Sequence, residues 1–89
     1  MKKHLTDTTI ETVTDWVKQY VRSLNLDLGD SVQFGPNYIY IEIQTWEHEM
    51  KLRIPYPDFI PSDDNDAAMV VMEHIQLFFT KALVEKFLH

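Results

Sequence analysis

The sequence predicts an α+β domain ordered α-β-β-β-α, a three-stranded antiparallel meander with both helices on one face. Three observations lead to it. Apolar residues recur at helical spacing near both ends of the chain, they alternate with polar ones between residues 31 and 54, and Pro55, Pro57 and Pro61 close the alternating stretch. A chain of 89 residues has room for one hydrophobic core, so residues 1–89 are read as a single domain.

The first helix is expected over about residues 9–24. Thr8 and Glu11 stand at capping-box spacing, where each side chain closes a backbone N–H left free at the helix start. Ile10, Val13, Val17, Tyr20, Val21 and Leu24 fall on one arc with Trp16 at its edge. Glu11, Asp15, Lys18, Gln19 and Arg22 fill the other side, and Asn25 suits a left-handed stop.

Strands are expected at about 31–35, 38–44 and 49–54. Val32 and Phe34, then Ile39, Ile41 and Ile43, then Met50, Leu52 and Ile54 each alternate with polar or tyrosine neighbours. A four-residue connection, Thr45–His48, sets Ile43 opposite Met50, Ile41 opposite Leu52 and Ile39 opposite Ile54. The same register pairs Glu42 with Lys51 and Tyr40 with Arg53, whereas a one-residue slip would oppose apolar to polar throughout. Around Gly35-Pro36-Asn37, Phe34 opposite Ile39 keeps the apolar side chains on one face. Asp27 and Asp30 are read as turn residues before the first strand.

Ser62-Asp63-Asp64-Asn65-Asp66 has the oxygen-rich, negative character of a helix start, and the second helix is expected over about residues 64–88. It carries two apolar stripes. The broad one, Ala68, Val71, Met72, Ile75, Phe78, Phe79, Ala82 and Leu83, should face the sheet, with Ile75 and Phe78 central. The narrow one, Val70, Leu77 and Val84 with Leu88 after them, calls for a second cover: the first helix or another copy of the chain.

Charge is distributed unevenly. Residues 27–66 hold nine acidic and two basic side chains, so the middle of the chain is more negative than the chain as a whole, whose net charge is −6. Such a field bears on partners rather than on fold. The order of elements resembles that of the double-stranded RNA-binding domain. That family grips phosphates with lysines at the start of its last helix, where this chain has Asp63-Asp64-Asn65-Asp66, so the resemblance is one of element order and direct nucleic-acid binding is not expected.

Chemical signatures are sparse. The chain lacks cysteine, which excludes disulfides, thiolate metal sites and thiol catalysis. Gly29 and Gly35 are isolated, so no glycine-rich phosphate loop forms, and Ser23, Ser31 and Ser62 lie outside nucleophile motifs. In Glu47-His48-Glu49 adjacent strand residues point to opposite faces and no second histidine follows at metal spacing, and His74, read as an edge residue beside Lys81, has no ligand partner three or four positions on. No catalytic residue, cofactor or metal is expected. Without an apolar N-terminal run or a membrane-length span, the chain is expected to be cytoplasmic.

The leading expectation is a small acidic, non-enzymatic protein–protein interaction module that docks a basic surface, such as that of a nucleic-acid-binding protein. Its surface would comprise Tyr38, Tyr40, Glu42, Trp46, Glu47, Glu49, Asp58, Asp63, Asp64 and Asp66, aromatics among carboxylates. By size and charge the analogy is to inhibitors of phages and mobile elements that mimic nucleic acid, of the anti-defence and anti-CRISPR type. The first alternative is a homo-oligomeric structural or adaptor subunit, a homodimer through Val70, Leu77, Val84 and Leu88. The second is a small enzyme or ligand-binding domain with a pocket between subunits.

Overall fold

A computed structural model describes residues 5–24, 27–44 and 49–87. Its elements are α1 (Asp7–Ser23), β1 (Asp27–Phe34), β2 (Tyr38–Gln44), β3 (Glu49–Pro55) and α2 (Asp64–Phe87), with the strands in the order β1-β2-β3. This is the α-β-β-β-α arrangement that the periodicities predict.

β2 is central because it supplies three β-branched side chains to one face. Ile39, Ile41 and Ile43 are all buried, whereas Tyr40, Glu42 and Gln44, which alternate with them, belong to the other face. The register with β3 is the expected one over the whole ladder, including Ile41 opposite Leu52, Glu42 opposite Lys51 and Tyr40 opposite Arg53. Phe34 pairs with Ile39 as well. The Lys51 ammonium nevertheless lies 3.9 Å from Glu49 on its own strand, so register places Glu42 opposite Lys51 while the ion pair goes to Glu49.

β1 starts four residues earlier than the alternation suggests. Asp27 and Asp30 belong to this strand and not to a turn. Leu28 pairs with Ile43 and Val32 with Ile41, so β1 spends two extra residues around Gly29 in an irregularity. Glycine and aspartate are poor strand formers, but β1 is an edge strand, where a bulge is tolerated and helps to block further pairing. At the next turn the Gly35 N–H donates to the Tyr38 carbonyl (2.9 Å), and the Gly35 carbonyl accepts from the Tyr56 hydroxyl (2.7 Å). A Cβ on Gly35 would stand 3.0 Å from the Tyr40 ring and 3.1 Å from the Tyr38 carbonyl oxygen, so close approach is what requires glycine there.

The helices run side by side in the same sense: Thr9 meets Asp64 near both starts, and Tyr20 meets Phe79 further along. The cap of α1 is Thr6, not Thr8. The Ile10 N–H donates to the Thr6 carbonyl (3.0 Å) and the Thr9 N–H to Thr6 Oγ1 (3.1 Å). α2 is capped by Asp63, whose carboxylate accepts from the Asp66 N–H (3.1 Å) and whose carbonyl accepts from the Ala67 N–H (2.8 Å).

The core lies between the isoleucine face and the two helices. Val13, Val17 and Val21 of α1 meet Ala68, Val71, Met72, Ile75 and Phe79 of α2 over Ile39, Ile41, Ile43, Met50 and Ile54. Ile75 is central as predicted. Phe78 is not: it is half-buried at the margin, and Phe79 occupies the centre, edge-on to Tyr20 at 5.2 Å. Leu24, placed on the buried arc by its spacing, is the exposed C-cap residue of α1, and Asn25 lies outside the described residues.

Candidate functional site

The expected surface falls into two parts. On the outer sheet face, Tyr38 and Tyr40 stand with ring centroids 6.3 Å apart, and Tyr40 is 43% exposed. The Arg53 guanidinium lies 4.8 Å from the Tyr38 ring centre, a cation–π contact. Gln33, Tyr40, Glu42 and Lys51 rim a shallow depression of about 110 Å³ whose floor is formed at Ile41 and Leu52. Both bases of the 27–66 segment, Lys51 and Arg53, belong to this face: Lys51 stands opposite Glu42 and beside Glu49, and Arg53 stands opposite Tyr40. Trp46 and Glu47 lie outside the described residues.

The second part follows Pro55. Asp58, Asp63, Asp64 and Asp66 lie at the other end of β3 from Glu49, about 20 Å of extended strand away. Acids that are close in sequence count are thus divided between two ends of the molecule. From Ile54 to Thr80 the chain holds five carboxylates and no lysine or arginine. Phe59, which belongs to neither a strand nor a helix and so to no periodic pattern, sits in this segment and is 72% exposed. An isolated aromatic between prolines was the available signal.

Asp64 has a structural role. Its Oδ1 accepts from the hydroxyls of Thr6 (2.8 Å) and Thr9 (3.2 Å), tying the first turn of α2 to that of α1. Thr9 is buried, so its hydroxyl needs this acceptor. The carboxylate is also in the first turn of its own helix, where the dipole favours negative charge.

The narrow stripe of α2 is not covered by α1. Val70 is half-buried, Leu77 is 70% exposed and Val84 is 49% exposed; Leu88 lies outside the described residues. His74 is half-buried, donates from Nε2 to the Pro55 carbonyl (2.8 Å) and packs on Phe78 at 4.9 Å.

Among the described residues, no three histidine or acidic side chains converge to hold a metal ion, no buried side-chain polar atom lacks a hydrogen-bond partner, and no helix is long and apolar enough to cross a membrane. No protein-family model, curated protein or solved structure matches the chain.

Proposed function

We propose that this protein is a non-enzymatic interaction module that docks a basic, partly apolar protein surface through residues 58–66, with Phe59 as the anchor. The observation that carries this reading is an aromatic side chain, 72% exposed, in a segment that bears only negative charge. Large apolar side chains that protrude singly and are ringed by one sign of charge suit recognition: the ring supplies contact area, while the field steers and selects the partner. Asp58, Asp63 and Asp66 supply that field. A partner whose basic surface handles nucleic acid has the matching chemistry, which is the form the inhibitor reading takes here.

The test compares capture from lysate of the source cells by the native chain, by Phe59→Ala and by Asp58→Lys/Asp66→Lys, at about 50 mM and about 500 mM salt. A protein retained by the native chain at low salt, released at high salt and absent from both variants is the expected result. Equal retention by native chain and variants, with their melting temperatures unchanged, overturns the reading.

A further inference from the structure

We infer that the exposed stripe of α2 pairs with the same stripe of a second copy of this chain, antiparallel, about a two-fold axis passing beside Leu77. The stripe is exposed at Leu77 and Val84, so among the described residues nothing covers it there. Its pattern is palindromic in position and opposite in charge. Counting outward from Leu77, Glu73 and Lys81 stand four residues to either side, and Val70 and Val84 stand seven to either side. A two-fold pairing must be self-complementary. In the antiparallel arrangement Leu77 meets Leu77, each Val70 meets Val84 of the other copy, and each Glu73 stands level with Lys81 of the other copy. In the parallel arrangement Glu73 would stand level with Glu73 and Lys81 with Lys81. The charges therefore select the antiparallel dimer.

At helical spacing Glu73 and Lys81 flank the Leu77 direction by about 40° on either side, and Val70 and Val84 by about 20°. The valines thus pack side by side across the interface, and the long charged side chains reach across the gaps between the apolar layers. Within one chain, Glu73 and Lys81 are about 12 Å apart along the axis, so neither has the other as a partner until a second copy arrives. The stripe is about 20 Å long from Val70 to Val84. Such a contact is smaller than a standard interface, which puts the dimer in the range of roughly 10⁻⁵ to 10⁻³ M.

Sedimentation equilibrium up to about 1 mM protein measures this directly, with circular dichroism to confirm that each variant is folded. The native chain should dimerise, and Leu77→Asp should weaken the dimer about a hundredfold, because two carboxylates would meet at the axis. Glu73→Lys alone and Lys81→Glu alone should each weaken it about tenfold, each change turning two attractions into repulsions. An equimolar mixture of those two variants should recover native affinity as a heterodimer, and so should the double exchange as a homodimer. A native chain that stays monomeric at about 1 mM overturns the inference, as does a dimer indifferent to Leu77→Asp. A dimer that responds to Leu77→Asp but not to the single charge changes overturns the antiparallel geometry.

Discussion

Replacing Phe79 with alanine should remove about 3–5 kcal/mol of stability. The ring is fully buried, sits between α1 and the isoleucine face, and meets Tyr20 edge-on at 5.2 Å with an interplanar angle of 81°. Part of the loss is transfer energy and the cavity left behind. A further ~0.5–1.5 kcal/mol belongs to the aromatic pair and should appear as coupling in a cycle with Tyr20→Leu. Phe78 is the internal control. It is only half-buried, with its ring 4.9 Å from that of His74, so Phe78→Ala should cost about 1–2 kcal/mol. A domain of this length has a total stability of about 4–13 kcal/mol. Urea unfolding followed by circular dichroism measures both variants. If Phe79→Ala leaves no folded baseline, Phe79→Leu, at about 1–2 kcal/mol, keeps the comparison within range. A loss for Phe78→Ala equal to or larger than that for Phe79→Ala would refute the helical phase assigned to α2, and with it the outward direction of Leu77.

Asp64→Ala should cost about 2–4 kcal/mol in the same assay, because two hydroxyls lose a charged acceptor and one belongs to buried Thr9; Asp64→Asn should recover part of the loss. Tyr56→Phe should cost about 0.5–1.5 kcal/mol through its bond to the Gly35 carbonyl. Burial also raises the Tyr56 pKa above its ordinary 10.0, so the folded state holds the phenol proton more tightly than the unfolded chain does. The stability this contributes is intact below pH 10.0 and is lost as pH rises toward the folded-state pKa; a pH titration of melting temperature should show a steeper alkaline fall for the native chain than for Tyr56→Phe.

The sheet was readable from sequence because its information is local and redundant. Ile39, Ile41 and Ile43 match Met50, Leu52 and Ile54 in one register only, and Tyr40 opposite Arg53 agrees with it. The helix caps show the opposite case. Thr8 and Glu11 satisfy a capping box on paper, yet the helix starts at Asp7 with Thr6 as its cap, and the hydroxyls of Thr6 and Thr9 are held by Asp64, 58 and 55 residues away in sequence. A contact of that range leaves no trace in a four-residue pattern. Phe78 and Phe79 both fit a broad apolar arc, and only the position of Tyr20 on the neighbouring helix decides which is central. The spatial division of the acidic residues is hidden from sequence for a similar reason: they are neighbours in the chain, whereas β3 sets Glu49 and the aspartates after Pro55 at its opposite ends.

The two proposed surfaces constrain each other through the geometry of α2. Asp64 begins the helix 13 residues before Leu77, about 20 Å along the axis, so an antiparallel pair centred on Leu77 sets its two acidic ends about 40 Å apart. Such a dimer cannot close both ends on one small basic site, but it can bridge two sites on an oligomeric or filamentous partner, with an avidity gain of about 10²–10⁴. Leu77→Asp separates the contributions. Well below the dimer dissociation constant, native chain and variant are both monomers and should bind a single-site partner equally. Near that constant, on a repeated partner, the native chain should bind more tightly and dissociate more slowly, and the difference should vanish as the partner sites are diluted on the sensor surface. Weaker binding by the variant at high dilution would mean that Leu77 touches the partner itself. The stripe would then belong to the docking surface and not to a second copy of the chain.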